Sequence, residues 1–468
     1  MKRAMSALDA AFIQAEREEA PQHGAILLLL RKPEGESAHY LAELAAWMRE
    51  HPVTAEPFNY VLSAGLGRRL RPSWTILPSE DIEIDYHFRH SALPQPGGEL
   101  ELATLVSRLV THPVNFDRPP WELHLIEGLE NDRFAILMKM HHAMVDGVSA
   151  LRMLRNWLSE DPLERERAPL WAHQVVREKA VRAPIAQVPP AVSDGVARAA
   201  RAPLSMASSV GRALAADVSA VRDPDQALVS PYSAPRTILN GRVTQRRRVA
   251  TQRLPIDRFQ DLARSTGGTL NDAVAIVLGT AMRRYLQELD ELPERPLVAG
   301  VLTSLRATMT ERAAAEASNA ISMLFADLAT EIDDISDRAD RVIASTKAGK
   351  EHLLGLKGHA TAYSSLMLAP FVLGNMTGTG HRLPPLQNVG LSNVPGTSSA
   401  LFHNGAEVES LHATTIVGSG GALVVTVTSW GSNLCFTVTG CPDTAPHCQR
   451  VSVYLADALD EVEKALAV

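Results

Sequence analysis

Residues 134–158 restrict the fold of this chain more than any other stretch, because two adjacent histidines there separate a strand-like run from a helix-like run. Phe134 to Met140 is almost wholly apolar, as expected of a short strand that is buried on both faces. His141 and His142 follow directly, and three leucines then recur at helical spacing: Leu151, Leu154 and Leu158. The histidines are therefore predicted to lie at a strand-to-helix junction, where rigid elements hold side chains at the end of a sheet.

The two histidines begin the motif His-His-x-x-x-Asp-Gly, which Asp146 and Gly147 complete. A neutral imidazole takes a proton from an alcohol, amine or thiol and returns it to a leaving group. Neighbouring residues of a strand point to opposite faces, so at most one of the two rings is expected to face a given site. No Ser or Cys lies nearby in a nucleophile-elbow pattern, which favours direct transfer over a covalent enzyme intermediate.

Two other interpretations of this motif stay open. The histidines could have a purely structural role at the strand end. With Asp146 they could also bind a metal, but zinc generally needs a third protein ligand, and the His-Glu-x-x-His spacing is absent. We predict no metal site. Asp146 is predicted to fix the loop by pairing with a distant cation, and Gly147 to leave room where a Cβ would block backbone or substrate.

Several further segments carry a resemblance to a known family. The segment HHAMVDG resembles the signature of the coenzyme-A-dependent acyltransferase superfamily, which includes chloramphenicol acetyltransferase and the condensation domains of peptide synthetases. Over nearly the whole chain, the motifs are similar in order to those of bacterial wax ester synthase/diacylglycerol acyltransferases: MSALDAAFI, DYHFRHSALPQPG, PPWELHLIEGL, KMHHAMVDGVSA, TLNDAVAIVLGTAMRRYL, VLTSLR and NVGLSNVPG. This resemblance implies an α/β fold of two pseudo-symmetric chloramphenicol-acetyltransferase-like lobes, with mixed sheets flanked by helices and a tunnel between them.

The composition changes between about Ser159 and Arg236, where Ala, Arg, Pro, Ser and Val dominate and large apolar residues are few. Residues 175–182 and 211–221 could form helices within this connection. A chain of 468 residues is long enough for about two domains. We therefore predict three parts: an N-terminal acyltransferase lobe with the histidine motif at 1–160, a partly helical linker at 161–240, and a C-terminal acyltransferase lobe at 241–468.

The clearest helix in the chain begins after Thr269, which can cap it, with Asp272 at the third helical position as in a capping box. Asn271 lies in the same first turn. The local pattern suits Asn271 equally well to binding substrate or to securing the turn. The family resemblance implies that Asn271 contacts substrate and that Asp272 supports it.

Two predicted strands of the second half end in polar residues. Residues 297–302 lead to Ser304, a predicted substrate contact, and to Arg306, which the resemblance implies is the ion-pair partner of Asp146. Residues 388–396 are predicted to form a strand that ends in a Pro-Gly turn. Its Ser392 and Asn393 could face the tunnel or stabilise the turn.

A hairpin is predicted from residues 421–430 and 434–438, with Thr426 and Thr428 on one face of its first strand. The resemblance implies that one of these hydroxyls, for which we choose Thr426, stabilises the developing oxyanion. Trp121 begins another predicted strand, the hairpin partner of 134–140, and is expected to support the core.

Two further patterns are local. Ile82, Ile84, Tyr86 and Phe88 alternate with polar residues, which predicts a half-buried strand over 81–90. Arg246 to Arg248 form a basic triplet at the start of the second lobe. The triplet is typical of a solvated strand edge, although it could also attract the phosphates of coenzyme A.

Charge and cysteine content limit the compartment and the partners. The net charge of −7 gives no support for a nucleic-acid partner, and the three cysteines form no Cys-x-x-Cys pair, which fits a reducing cytoplasm. The N-terminal segment has no secretory signal, and no apolar run reaches membrane-spanning length. We expect a cytoplasmic protein that is compatible with peripheral association at the inner membrane or a lipid droplet surface.

The resemblance implies an acyl-CoA-dependent O-acyltransferase without a cofactor. The acyl group would pass from acyl-CoA to diacylglycerol or to a long-chain fatty alcohol, with His142 as general base and His141, Asp146 and Gly147 completing the catalytic motif. Two alternatives are a superfamily acyltransferase with a small or carrier-bound acceptor, and a non-catalytic lipid-binding member.

Overall fold

The fold combines β-strands with α-helices. The computed structural model describes residues 2–65, 68–69, 71–145, 147–173, 204–223, 226–304, 321–356 and 359–468. Its strands are β1 (Lys2–Ala4), β2 (His23–Arg31), β3 (Tyr60–Leu62), β4 (Ser73–Ile76), β5 (Phe88–Ala92), β6 (Trp121–Glu127), β7 (Arg133–His141), β8 (Arg248–Pro255), β9 (Val298–Ser304), β10 (Ile321–Asp327), β11 (Val389–Thr397), β12 (Phe402–His403), β13 (Ala406–Thr414), β14 (Leu423–Trp430) and β15 (Asn433–Gly440). Its helices are α1 (Ala7–Ala15), α2 (Tyr40–Arg49), α3 (Ile84–His87), α4 (Glu99–Thr111), α5 (Gly147–Trp157), α6 (Leu204–Arg222), α7 (Ile256–Ser265), α8 (Leu270–Glu288), α9 (Ile335–Gly355), α10 (Ala360–Thr377) and α11 (Arg450–Leu466).

The strands form two six-stranded mixed sheets. The order in the first sheet is β12-β13-β2-β7-β6-β5, with only β5 and β6 parallel to each other. The order in the second sheet is β10-β9-β11-β14-β15-β8, with β11 parallel to both β9 and β14. A small third sheet has the order β1-β4-β3. The predicted mixed α/β architecture is confirmed, as are the β6–β7 and β14–β15 hairpins.

The central strand β2 is buried on both faces, because helices cover each side of the first sheet. Leu28 packs in one cluster with Leu41 of α2 and Leu154 of α5. Leu27 points the other way and packs with Val106 of α4. Each fully buried leucine contributes about 1.5–3 kcal/mol. This double burial explains why β2 and β7 are apolar runs without alternation.

A strand from the second half of the chain completes the first sheet. β13 pairs antiparallel with β2, so residues 406–414 lie in the sheet that also carries the two histidines. Side chains tie β13 to the second sheet, because Trp430 Nε1 donates to the carbonyl of Val408 at 2.7 Å. The predicted C-terminal lobe, 241–468, thus supplies β12 and β13 to the first sheet. The proposed division into three parts stays a prediction.

The strand predicted over 81–90 was wrong for its first half. The structure has a 3-10 turn at Ser79–Asp81, then α3, and only then β5. His87, one of the polar residues of this alternation, is buried; its Nδ1 donates to the carbonyl of Trp121, and its ring stacks on that indole at 4.4 Å. This tertiary contact outweighs the local alternation of apolar residues.

The turn predicted at Pro395-Gly396 was also wrong, because β11 continues through it to Thr397. The pairing with β14 is irregular between Val394 and Thr397, so the proline sits where no regular ladder hydrogen bond is needed. A Cβ on Gly396 would lie 1.8 Å from the carbonyl oxygen of Ser429, which explains the glycine.

Two helix predictions are confirmed, and one lies beyond the described residues. Thr269 and Asp272 form the expected capping box at the start of α8. The helix predicted at 211–221 lies within α6, whereas residues 175–182 lie outside the described part. In the segments that the structure covers, no helix has the length and apolar character needed to cross a bilayer.

Stability is expected to fall at acidic pH because of a buried histidine between the sheets. His412 Nδ1 of β13 donates to the carbonyl of Phe436 in β15, and burial, with Arg253 adding to it, lowers the pKa of His412 to about 4. The unfolded state, with a pKa near ~6.5, binds more protons between pH 6.5 and 4, so the free energy of unfolding falls as pH falls. From pH 7 to 5 this one group removes about 2 kcal/mol.

The variant His412→Gln keeps an amide donor but does not titrate. Urea unfolding at pH 7 and pH 5 should therefore show a smaller loss for the variant than for the natural chain. An equal decrease in the free energy of unfolding from pH 7 to pH 5 in the two proteins would contradict the role assigned to His412.

Candidate active site

The two motif histidines point in different directions at the end of β7. His141 is the last residue of the strand and its side chain is fully buried, whereas His142 begins the following turn and is partly buried. The ring of His142 borders a cavity, and the ring of Phe12 from α1 stacks on it at 5.2 Å and 24°. The expectation that only one of the two rings faces the site agrees with this geometry.

His141 is held by a hydrogen bond at each ring nitrogen. Its Nδ1 accepts the backbone N–H of Ala143 at 3.1 Å, and its Nε2 donates to Glu16 Oε2 at 3.3 Å. Because Nδ1 is an acceptor, the ring proton must reside on Nε2. The ring also meets the edge of Phe116 at 5.0 Å. His141 therefore fixes the turn that carries His142, and it does not border the cavity.

Glu16 and Gln22, which sequence reasoning missed, hold the histidine turn from the N-terminal side. The buried Glu16 carboxylate accepts hydrogen bonds from the backbone N–H of Gln22 and from Nε2 of His141. The carbonyl of Gln22 in turn accepts the backbone N–H of His142 at 2.9 Å. Glu16 lies in a charged run that is typical of a solvated surface, so no local signal pointed to it.

The cavity beside His142 measures about 90 Å³ and is bounded by both sheets. Its polar lining comes from His142, Ser392, Thr414, Thr415 and Thr426. Its apolar lining includes Ile26, Met138, Met140, Ala150, Leu151 and Val394. Gly147 also lies on its wall, and a Cβ there would meet nothing within 4 Å. The cavity thus combines an imidazole and hydroxyl groups with hydrocarbon walls.

Thr426 and Ser392 meet at this cavity because their strands are adjacent. β11 and β14 run parallel with Ser392 paired to Thr426. The hydroxyl of Thr426 is buried and has no hydrogen-bond partner among the residues that the structure describes. Thr428 shares this face and also has a buried hydroxyl without a partner in the described part, but it does not line the cavity.

Asn271 and Asn393 lie together behind the cavity wall. The side-chain amide of Asn393 donates to Asn271 Oδ1, and this contact joins β11 to the first turn of α8. Neither residue is among those that line the cavity, so their contact with substrate stays a prediction. Burial favours a raised pKa for Asp272, but hydrogen bonds from Thr346 and Thr269, with the charge of Lys350, lower that pKa.

Three predicted site groups lie outside the described part of the chain. They are Asp146, Arg306 and the side chain of Ser304, whose backbone ends β9. The predicted ion pair between Asp146 and Arg306 therefore stays a prediction. Within the described ranges, no group of three or more His, Cys, Asp or Glu side chains is arranged to hold a metal ion.

Trp121 is the first residue of β6, the strand that pairs with the histidine-bearing β7. Its indole is buried, donates from Nε1 to the carbonyl of Phe58 at 2.8 Å, and stacks on Trp171. Next to it, burial favours a raised pKa for Glu122, but the hydrogen bond from His124 and the charge of Lys139 lower that pKa to about 2. Burial lowers the pKa of Lys139, which forms an ion pair with Glu122 at 3.2 Å on the face of β7 opposite the cavity.

Two arginines of the basic triplet at Arg246 to Arg248 make contacts within the protein. Arg247 is buried and donates to the carbonyls of Glu19 and Val417, each at 3.0 Å, and burial lowers its pKa to about 10. Arg246 forms an ion pair with Asp443. Arg247 thus ties the segment before β2 to the second lobe.

Removal of the Glu16 carboxylate should weaken the histidine turn. The variant Glu16→Ala leaves the buried donors of His141 and Gln22 without an acceptor, so the free energy of unfolding should drop by about 2 kcal/mol or more in urea titration. The matched control Glu18→Ala removes an exposed carboxylate of the same segment. This change should alter the free energy of unfolding by about 0.5 kcal/mol or less. Equal effects of the two substitutions would contradict the role assigned to Glu16.

Comparison with known proteins agrees with this geometry. The model of the wax ester synthase/diacylglycerol acyltransferase catalytic domain matches residues 5–274, and that of the family's C-terminal domain matches residues 317–463. A Mycobacterium tuberculosis protein named as a candidate diacylglycerol O-acyltransferase is 37% identical over 99% of this chain and 100% of its own length. The O-acyltransferase WSD of Acinetobacter baylyi is 32% identical over 99% of this chain and 98% of its own.

Solved structures show the same architecture. The wax ester synthase/diacylglycerol acyltransferase of Marinobacter aquaeolei VT8 superposes with a TM-score of 0.76 at 31% identity, over 99% of this chain and 100% of that one. The first condensation domain of the CDA synthetase gives a TM-score of 0.57 at 16% identity over 100% and 96%, which shows the shared two-lobed fold alone. The chain therefore belongs to the wax ester synthase/diacylglycerol acyltransferase family.

Proposed function

We propose that this protein is an acyl-CoA-dependent O-acyltransferase that moves a long-chain acyl group to diacylglycerol, to a long-chain fatty alcohol, or to both. The single observation that carries the proposal is that the imidazole of His142 and the buried hydroxyl of Thr426 border one mainly apolar cavity. A base and an oxyanion donor in a hydrocarbon setting suit transfer between lipid substrates. Relatives named as diacylglycerol acyltransferase and wax ester synthase support these substrates.

In the proposed reaction, His142 is the general base. Its imidazole removes the proton from the acceptor hydroxyl, and the oxygen then attacks the thioester carbon of acyl-CoA. The carbon–sulfur bond of the tetrahedral intermediate breaks, and the imidazolium of His142 gives its proton to the departing thiolate. The products are an ester and free coenzyme A, so the protons balance without a metal or cofactor.

The hydroxyl of Thr426 is proposed to donate to the oxyanion of the tetrahedral intermediate. A donor already in place in a dry site stabilises developing charge without reorganisation and typically contributes several kcal/mol. Ser392 lies beside Thr426 on the same cavity wall and is proposed to contact the substrate. Glu16 and His141 act further back, because they position the turn that carries the base.

The remaining assignments rest on the family. Asp146 and Arg306 are proposed to pair and so shape the histidine loop, and Gly147 to keep that loop open to substrate. Asn271, Asn393 and Ser304 are proposed to line the substrate path beyond the cavity described above. Because both substrates are lipids, the protein is proposed to work in the cytoplasm at the surface of a membrane or lipid droplet.

The function is tested with labelled palmitoyl-CoA and vesicles that contain either 1-hexadecanol or dipalmitoylglycerol. The expected products are wax ester or triacylglycerol, and the protein should float with the vesicles in a density gradient. His142→Gln should lower kcat by about a thousandfold while the protein stays folded. Transfer only to small or carrier-bound acceptors, no transfer at all, or unchanged turnover by His142→Gln would contradict the proposal.

The oxyanion assignment has a matched control on the same strand. Thr426→Val replaces the hydroxyl with a methyl group of similar size and should lower kcat by about a hundredfold. Thr428→Val makes the same change at the neighbouring buried hydroxyl outside the cavity and should leave kcat nearly unchanged. Both variants should keep their stability, because the lost hydroxyls have no partner in the described structure. Similar kcat values for the two variants would argue against Thr426 as the donor.

A further inference from the structure

The second residue of β2 is a glycine whose missing side chain leaves space at the base. Gly24 pairs with Met140 of β7 and borders the same cavity as His142. A Cβ built on Gly24 would lie 3.3 Å from His142 Nε2 and 3.2 Å from the carbonyl oxygen of Thr414. Both distances are shorter than ordinary van der Waals contact for a Cβ. Any side chain at position 24 would therefore crowd Nε2 of His142.

The backbone dihedral angles of Gly24 give no reason for a glycine at this position. Gly24 is not one of the described glycines with a positive φ, so an L-residue could adopt its conformation. A glycine inside a strand weakens that strand by roughly 0.5–1 kcal/mol relative to alanine. Such glycines commonly mark a place where a ligand or another backbone approaches closely. Here the close neighbours are the backbone carbonyl of Thr414 and the side chain proposed as the base.

In the proposed reaction, the acceptor alcohol lies in the cavity that Gly24 and His142 both border. A hydroxyl that gives its proton to His142 Nε2 has to lie within about 2.6–3.2 Å of it. The carbon that bears this hydroxyl, and any substituent on that carbon, must then lie beside Gly24. In a primary alcohol, the carbon that bears the hydroxyl carries two hydrogens and one alkyl chain. In a secondary alcohol, one of these hydrogens is replaced by a second carbon substituent. The space beside Gly24 is what such a branch needs.

We infer that Gly24 determines acceptor specificity by admitting alcohols that are branched at the carbon bearing the hydroxyl. This inference rests on the proposed function, with His142 as the base, and adds a residue that sets which alcohols reach it. A competing explanation is that Gly24 only allows β2 to pack against Thr414 of β13. In that case the addition of a Cβ would lower kcat/KM equally for every acceptor.

The test compares two isomers, 1-hexadecanol and 2-hexadecanol, with palmitoyl-CoA as donor. Because the isomers have the same number of carbons, the comparison isolates branching at the reacting carbon. The natural protein should use both, with kcat/KM values within about tenfold of each other. Gly24→Ala should lower kcat/KM for 2-hexadecanol about tenfold more than for 1-hexadecanol. The matched control Gly211→Ala, on an exposed face of α6 where a Cβ meets nothing within 4 Å, should leave the ratio unchanged.

Each other outcome overturns the inference in a recognisable way. If Gly24→Ala lowered kcat/KM equally for both alcohols, or for neither, Gly24 would have only a packing role. Use of 1-hexadecanol without detectable use of 2-hexadecanol by the natural protein would also overturn the inference, and this measurement needs no variant that must fold. Absence of ester from every acceptor with the natural protein would instead reject the proposed function itself.

Discussion

The pairing register of β2 against β7 is the constraint on which the rest of the site depends. It sets His23 opposite His141 and Gly24 opposite Met140. Side chains alternate between the faces of a strand, so a slip of one residue would turn Gly24 away from the cavity. The same slip would separate the carbonyl of Gln22 from the backbone of His142. Burial of β2 on both faces, with different helices on each side, is what specifies the register.

The cavity exists only when the two halves of the chain are assembled. His142 and Gly24 come from the first half, Ser392 and Thr426 from the second sheet, and Thr414 from the strand that crosses between them. Contacts between the sheets are therefore part of the chemistry. The bond from Trp430 to β13 and the buried Arg247 hold the sheets at a fixed separation. A shift of about 1 Å between base and oxyanion donor would be costly for transfer.

Local sequence patterns predicted most elements but few of the contacts that hold the histidines. The β6–β7 hairpin, the capping box at Thr269 and the expectation that only one histidine faces the site follow from periodicity and from the alternation of strand side chains. The family resemblance supplied the two-lobed fold and drew attention to Thr426. Glu16 could not be found in this way, because its partner His141 is distant in sequence and its neighbours are charged.

The wrong strand prediction at 81–90 and the unpredicted position of β13 also result from contacts between residues that are distant in sequence. The alternation at 81–90 was overruled by the stacking of His87 on Trp121, a contact between residues far apart in the chain. The crossing of β13 into the first sheet carried no signal in the sequence either, because strand pairing at such distance depends on the whole fold. Patterns within a short window report local preference, and tertiary contacts decide where that preference is weak.

The late arrival of β13 has a consequence for synthesis of the chain. β2 gains its partner β7 early, but its other edge stays without a neighbour until residues 406–414 have left the ribosome. That edge belongs to the apolar run Ile26 to Leu30, and open apolar edges readily pair with other chains. The β2 edge of a nascent chain of this protein is thus exposed to aggregation until β13 has been synthesised.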